Sequence, residues 1–360
     1  MYLHIFIWLF LVGFFVERSN IYNIEENANG EIIKYWKILP AVVLFFPVFW
    51  LACMGNPIND VPLYIYEYKT LPTTLTDAKD YFNGMTSGQG FFILEEIIKK
   101  LFAGSTVAFR VCIALIQSIP IIYIFRKYCE QYWIGIYIFV ASACHIGWMM
   151  NGMRQFIAVI MIFSTLPWMI EGRKIRLIVV VGLAMTIHIS AILMFPIVFI
   201  VQGKAWNKKT LTFIAISIAL MFMFSRNVTL ADTFLQGTEY AGSMSSMRTM
   251  GDDGVNPIRV IISAVPMMLS FINRKSIQKE ENKLIYICVN MSVVTVGLNM
   301  IAMVTSGILV GRLAIYTSLY SFIIIPYLIR KSFTERSQKI VNGMLIILYF
   351  IYYCFEVGVL

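Results

Sequence analysis

Long apolar runs separated by short polar breaks dominate the chain and predict helices that cross a membrane. A spanning helix needs about 20 apolar residues, with a range of about 17–25, and most runs meet or approach that length. The predicted spans and half-spans are Tyr2–Val16, Ile38–Met54, Thr106–Phe125, Tyr132–Met150, Phe156–Ile170, the two halves of Leu177–Val201, Leu211–Ser225, Ile258–Ile272, Leu284–Val304, Leu313–Ile329 and Ile340–Val359. The predicted fold class is all-α, a polytopic integral membrane protein with about 12 transmembrane or half-membrane helices.

Two longer polar segments, residues 55–105 and 226–256, are predicted outer loops of a single membrane-embedded domain, residues 1–360. In the first loop, Gly90–Leu101 has apolar residues at helical spacing, which predicts an amphipathic helix on the outer surface. The mixed-charge segment from Glu17 to Lys37 is predicted to be a loop. The run Tyr2–Val16 has no Lys or Arg before it and no small-residue cleavage site, so we interpret it as a retained span.

The composition also indicates a membrane protein. Hydrophobic residues make up 59% of the chain and charged residues 14%, against about 45–50% and about 25% in soluble domains. The net charge of +9 comes from basic residues that cluster in short loops, which is the positive-inside pattern of cytoplasmic loops and places both termini outside. The positive charge therefore does not indicate nucleic-acid binding. The six cysteines show no Cys-x-x-Cys pair and are typical of small core residues.

The run Leu177–Val201 allows two topologies. At 25 residues it is long enough for one span. The flanking loops, residues 172–176 and 202–209, are both basic and therefore both predicted to be cytoplasmic. One crossing cannot join two loops on the same side. We therefore favour a hairpin of two short helices that turns near His188-Ile189-Ser190, a geometry tolerated where it is buried in protein or lines a watery cavity.

Three ionisable residues, Arg154, His188 and Arg312, lie where a spanning protein usually has apolar side chains. In the hairpin topology they fall near the outer face together with Gln155. Both arginines break the charge rule, and a guanidinium suits phosphate oxygens in a low-dielectric site; the alternative is that each snorkels to lipid headgroups. His188 is a candidate general acid or base or a substrate ligand, or else a structural histidine that pins the turn.

Asp60, Tyr64 and Tyr66, just outside the second span, form a candidate sugar-binding group, although an interfacial tyrosine belt has the same pattern. No metal site is predicted, because the three histidines are scattered and there is no His-Glu-x-x-His. Asp252-Asp253-Gly254 is typical of a loop turn rather than a cation site. With no nucleotide-binding motif either, we predict no cofactor and a substrate that carries its own activated bond.

Several motifs resemble the EpsG family of Wzy-like polymerases of bacterial surface polysaccharides. The specific pair is Gly152-Met153-Arg154-Gln155-Phe156-Ile157-Ala158 at the start of a span and His188-Ile189-Ser190-Ala191 after a basic loop. Softer matches are Asp60 to Tyr66, Gly90-Phe91-Phe92 and Arg312-Leu313-Ala314-Ile315-Tyr316. One departure is residues 55–60, where the family usually has Arg…Gly-x-Asp and this chain has no nearby Arg.

The resemblance implies a GT-C-like polymerase architecture in the bacterial cytoplasmic (inner) membrane. It implies that a growing glycan passes from undecaprenyl diphosphate to an incoming lipid-linked oligosaccharide unit, for O-antigen, capsule or exopolysaccharide. The implied partners are that lipid-linked oligosaccharide, the lipid bilayer, and a flippase and chain-length regulator of the same pathway. In this interpretation Arg154 and Arg312 stabilise charge on the departing diphosphate, His188 or an outer carboxylate takes the acceptor proton, and Gln155 orients a sugar or phosphate oxygen.

Three other functions remain open from the residues alone. They are a flippase for lipid-linked oligosaccharides, a membrane acyltransferase that acts on glycans, and a non-catalytic scaffold of a synthase complex. A flippase needs a polar path to both faces, whereas the unusual polar residues here gather on one. An acyltransferase needs a partner acid for His188.

Overall fold

The computed structural model of the chain is mostly helical and describes residues 3–19, 21–26, 32–55, 60–72, 75–85, 87–226, 229–234, 236 and 242–358. Its α-helices are α1 Leu3–Ser19, α2 Ile38–Met54, α3 Val61–Thr70, α4 Leu75–Gly84, α5 Gln89–Leu101, α6 Thr106–Tyr128, α7 Tyr132–Ala141, α8 Cys144–Asn151, α9 Met153–Phe163, α10 Leu166–Glu171, α11 Lys174–Ile187, α12 Met194–Ile200, α13 Lys208–Arg226, α14 Thr229–Phe234, α15 Ser243–Thr249, α16 Pro257–Ile272, α17 Arg274–Lys279, α18 Lys283–Val304, α19 Ile315–Ser332 and α20 Glu335–Glu356. A 3-10 helix, Ile189–Leu193, lies between α11 and α12, and strands β1 Tyr22–Glu26 and β2 Ile32–Trp36 lie between α1 and α2.

Five helical stretches in the described part of the chain are long and apolar enough to cross a membrane, and the bent pair α7–α8 raises that number to six. The five are α6, Met153–Glu171, α13, α18 and α20. Helices α2 and α16 are apolar but shorter. The chain is thus a helical membrane protein, as predicted. The number of about 12 membrane segments and the GT-C-like architecture are not confirmed.

The predicted span Tyr132–Met150 is not one helix. Helix α7 ends at Ala141, α8 begins at Cys144, and the two are bent by 70°. Ala143 takes a positive φ of 55° at the break, and Ser142 Oγ lies 2.7 Å from Nδ1 of His145. No Pro or Gly stands in Ala141–Cys144, so the usual sequence signals of a break are missing there.

The predicted mixed-charge loop before α2 contains an antiparallel ribbon, which the all-α prediction missed. Strand β1 pairs with β2 in a register that sets Tyr22 opposite Trp36 and Ile24 opposite Lys34. The sequence has Asn29-Gly30 between the two strands, a dipeptide typical of hairpins. This ribbon was therefore detectable from the sequence.

Capping side chains explain why several helices begin where they do. Ser105 Oγ accepts from the Ala108 N–H at the start of α6, at 3.3 Å. Asn256 Oδ1 accepts from Ile258 N–H at 2.9 Å before α16, and Asn282 Oδ1 accepts from Leu284 N–H at 3.0 Å before α18. Such caps satisfy backbone donors that the first helical turn leaves unpaired.

The chain divides into two compact units. The first comprises Met1–Pro167, Lys174–Ile192 and Glu335–Leu360, and the second comprises Trp168–Arg173 and Leu193–Thr334. In the first unit α9 packs against α11 and α6, and α5 packs against α11. In the second unit α18 packs against α13, α16 and α19. The single membrane-embedded domain stays a prediction.

Helix α18 is buried on nearly every side and uses a polar residue to hold its neighbours. The Asn290 side chain, 0% exposed, donates to the carbonyls of Val201 and Lys204 at 3.0 and 3.2 Å. Its Oδ1 accepts from Trp206 N–H at 3.0 Å and from Thr210 Oγ1 at 3.3 Å. Because its hydrogen-bonding capacity is satisfied, this amide costs little to bury and ties the loop before α13 to the centre of the unit.

Candidate functional site

Arg154 lies in the first turn of α9, two residues after Gly152, which separates α8 from α9. Its guanidinium forms an ion pair with the Glu67 carboxylate of α3. The guanidinium carbon also lies 5.5 Å from the ring centroid of Tyr64 and 5.3 Å from that of Phe91. Cation–π contacts of this kind orient the planar fork. Arg154 is therefore paired with a carboxylate of the same chain and lies against two aromatic rings.

Helix α3 supplies one face of this arrangement by its periodicity. Tyr64 and Glu67 are three residues apart and thus share a helix face, and that face meets Arg154. Tyr66, two positions from Tyr64, points to the other side and is 65% exposed. Asp60 is an exposed residue before α3 and makes no side-chain cap. Of the predicted sugar-binding group, only Tyr64 is seen against Arg154; residues 56–59 of the outer motif lie outside the described part of the chain.

Glu95 is a buried acid on the inner face of the predicted amphipathic helix, here α5. It shares that face with the buried residues Phe91, Phe92 and Ile98 and is 3% exposed. Its Oε1 has no hydrogen-bond partner among the described residues. The pKa of Glu95 is raised to about 8, mainly by burial and to a smaller extent by the charges of Glu67 and Glu96, while Arg154 and Lys99 oppose the shift. We call Tyr64, Glu67, Phe91, Glu95 and Arg154 the Arg154 cluster.

His188 lies at the break that the sequence predicted. Helix α11 ends at Ile187 and the 3-10 helix begins at Ile189. The His188 Nδ1 lies 2.7 Å from Ser190 Oγ and accepts from the Ser190 N–H at 3.3 Å. Gln155 Nε2 donates to the same hydroxyl at 3.2 Å. The structure therefore joins three residues of the two specific motifs through Ser190; whether the second arm turns back stays a prediction.

A close contact between α5 and α11 brings the Arg154 cluster and the residues around His188 to the same end of α5. A Cβ added at Gly90 would lie 2.3 Å from Thr186 Oγ1 and 3.1 Å from Ile187 Cδ1. Only a residue without a side chain permits this approach. Since Ile187 precedes His188 and Gly90 precedes Phe91, the contact places the break after α11 beside the start of α5.

Arg312 belongs to the second unit, in the stretch between α18 and α19. Its predicted grouping with Arg154 and His188 therefore stays a prediction. The stretch is anchored by Asp252, whose carboxylate accepts from Gly307 N–H at 2.8 Å, Ile308 N–H at 3.1 Å and Ser306 Oγ at 2.5 Å. The Gly254 N–H also donates to Asp252 at 3.1 Å. Asp252 thus stabilises a loop, as its sequence context predicted.

The Asp252 anchor predicts a pH dependence. Partial burial alone would raise the pKa of Asp252, but the hydrogen bonds from Ser306, Ile308, Gly307 and Gly254 outweigh it and hold the pKa below its usual range. A depressed pKa favours the folded state above the ordinary carboxyl value, and this contribution is lost as pH falls through the folded pKa. We expect Asp252→Asn to lower the Tm of detergent-solubilised protein at about pH 6, with the difference from the unsubstituted protein shrinking below about pH 4. A Tm difference that is constant with pH would contradict this assignment.

Sequence reasoning missed two members of the Arg154 cluster, Glu67 and Glu95. A signal for Glu95 existed, because it falls at the spacing of Phe91 and Ile98, on the apolar side of an amphipathic helix. Glu67 lies 87 residues from Arg154, and its pairing depends on how α3 packs. Within the described residues, no group of three His, Cys, Asp or Glu side chains is placed to hold a metal ion.

The sequence of the chain matches a known protein family. The sequence model of the EpsG family matches residues 37–358, which include the Arg154 cluster, His188 and Arg312. Searches of curated proteins and of solved structures gave no match. The family is associated with glycosyltransferase-like polymerase activity on polysaccharides. Since the match covers nearly all of the chain, this membrane protein belongs to the EpsG family.

Proposed function

We propose that the protein polymerises oligosaccharide repeat units carried on undecaprenyl diphosphate, at the outer face of the bacterial cytoplasmic membrane. The product is O-antigen, capsule or exopolysaccharide. The observation that carries the proposal is the Arg154 cluster, in which a cation, carboxylates and aromatic rings meet. Aromatic faces pack against sugar rings and carboxylates bind sugar hydroxyls, while a guanidinium binds phosphate oxygens.

The proposed reaction is a substitution at the anomeric carbon of the donor glycan. An acceptor hydroxyl attacks the anomeric carbon of the donor glycan, the bond to the diphosphate oxygen breaks, and its electron pair stays on the diphosphate. Negative charge therefore grows on the leaving group, where Arg154 and Arg312 are proposed to stabilise it. Gln155 and His188 are proposed to orient a sugar or phosphate oxygen through the arrangement around Ser190.

Arg154 has to change partners, or add one, when the donor binds. In the structure its charge is already compensated by Glu67. Both side chains are 33% exposed, so a ligand can reach the guanidinium while the carboxylate stays nearby. Tyr64 and Phe91 hold the guanidinium plane during this exchange. We propose that Tyr64 also packs against a sugar, with Asp60 and Tyr66 contacting more distant sugars from their exposed positions.

Deleting the gene tests the proposal directly. We expect surface glycan from the deletion strain to run on a gel as a single repeat unit without a ladder, and the full-length gene to restore the ladder. An unchanged ladder would refute polymerisation. Loss of all surface glycan, including the single unit, would indicate a flippase, and an intact ladder that lacks acyl groups would indicate an acyltransferase.

A further inference from the structure

We propose that Glu95 is the group that takes the proton from the acceptor hydroxyl in the polymerisation step. This inference rests on the proposed function and assigns a role within it that the sequence left undecided. In the step, the acceptor oxygen forms the bond to the anomeric carbon, the diphosphate leaves with the electron pair of the broken bond, and the hydroxyl proton moves to a Glu95 oxygen. Water later removes that proton from Glu95.

The first argument is the unfilled hydrogen-bonding capacity of Glu95. The residue is 3% exposed, and its Oε1 has no hydrogen-bond partner among the described residues. A buried acceptor without a partner is unfavourable, and native proteins rarely leave one without a reason. A sugar hydroxyl donates the hydrogen bond that is missing, and it is also the group that must lose a proton.

The second argument is the position of Glu95 among charged groups. The groups that act electrostatically on it are Arg154 and Glu67 from the facing helices and Glu96 and Lys99 from its own helix, with Tyr68 of α3 also close. Arg154 occupies the Glu67 carboxylate, so Glu95 is the acid of the cluster with an oxygen that has no hydrogen-bond partner among the described residues. The raised pKa of Glu95, about 8, makes its ionised form a stronger base than an ordinary carboxylate.

The third argument concerns His188, the other candidate base. Its Nδ1 accepts from the Ser190 N–H, and a neutral ring that accepts at Nδ1 carries its proton at Nε2. In this tautomer Nε2 donates a hydrogen bond, and the lone pair that could take a proton is on Nδ1, which Ser190 already occupies. His188 is therefore suited to bind an oxygen of the substrate, whereas Glu95 is suited to take the proton.

The test compares Glu95→Gln with Glu96→Gln in the deletion strain. Glu96 is the adjacent residue on α5, with a side chain 13% exposed and paired with Lys100, and it is not proposed to contact the substrate. Membranes that carry each variant are incubated with the lipid-linked repeat unit extracted from the deletion strain. We expect Glu95→Gln to lower chain extension at least about 100-fold, within the range for loss of a general base, and Glu96→Gln to extend chains like the unsubstituted protein.

The pH profile separates a base from a structural residue. For the unsubstituted protein we expect the rate to rise about tenfold per pH unit and to level near pH 8, because only ionised Glu95 accepts the proton. Glu95→Asp should restore part of the rate, with its pH profile displaced from that of the unsubstituted protein. This variant keeps the inference testable if Glu95→Gln fails to accumulate in the membrane. Normal extension by Glu95→Gln would overturn the inference, as would an inflection near pH 6.5, where a histidine titrates. If deletion itself leaves the ladder intact, the proposed function fails; if deletion removes the ladder and Glu95→Gln retains it, the role of Glu95 alone fails.

Discussion

Arg154→Ala should remove long-chain polymer while single repeat units still reach the cell surface. The substitution deletes a cation that is proposed to stabilise the departing diphosphate, and loss of one such group costs about 10²–10³ in rate. Arg154→Lys should recover only part of the loss, because lysine keeps the charge but cannot form the planar fork that lies over Tyr64 and Phe91. The ladder on a gel of surface glycan is the measurement.

Arg173→Ala is the matched control for this experiment. Arg173 also forms an ion pair, with Glu171, and both side chains are about half exposed. Exposed pairs of this kind contribute about 0–1 kcal/mol, so the control should leave the ladder and the amount of protein in the membrane unchanged. If Arg154→Ala gives the same ladder as Arg173→Ala, Arg154 has no role in polymerisation.

The double variant Arg154→Ala/Glu67→Ala distinguishes catalysis from structural support. If Arg154 served only to neutralise Glu67, removing both would restore much of the activity, because no unpaired carboxylate would remain. If Arg154 acts on the substrate, the double variant stays as inactive as Arg154→Ala. We expect the second result, with normal protein abundance for the double variant.

Arg312→Ala should also reduce chain extension, by about 10²-fold or more, since it removes the second proposed diphosphate contact. Arg248 on α15 is exposed and lies in the second predicted outer loop, so Arg248→Ala controls for loss of an outer positive charge.

The anchor at Asp252 gives a further comparison: Asp252→Asn keeps Arg312 but loosens the stretch that leads to it. We expect Asp252→Asn to shorten the polymer less than Arg312→Ala does. Full-length polymer in Arg312→Ala would exclude Arg312 from the site.

Most helices could be predicted from the sequence because apolar runs of spanning length leave few alternatives. Helix α2 begins and ends at the predicted residues, Ile38 and Met54, and the break at His188 followed from the charge of two loops. The bend between α7 and α8 could not be predicted, because the positive φ falls on Ala143 and no Pro or Gly marks the break. Hydropathy does not predict the ribbon before α2, because its sequence signal is the polar dipeptide Asn29-Gly30.

The candidate site was predictable in part, for a physical reason. An arginine or histidine in an apolar run costs energy, so Arg154 and His188 were conspicuous. Glu67 and Glu95 lie in a polar segment where acids are ordinary, and their importance comes from the packing of α3 and α5 against the start of α9. A charged residue in an apolar run can be recognised from the sequence, whereas its partner in a polar segment looks like any other charged residue there.

The ion pair between Arg154 and Glu67 has a consequence for selectivity in the proposed outer-leaflet setting. A bare guanidinium at the membrane surface would be occupied by the phosphate of any abundant anionic lipid. Because the Glu67 carboxylate already pairs with Arg154, a ligand must compete with that carboxylate for the guanidinium. A single phosphate offers little more than that carboxylate does, whereas a diphosphate with an attached sugar adds further charge and a surface for the aromatic rings. In the proposed setting, this competition would keep Arg154 from binding phospholipid headgroups while no donor is present.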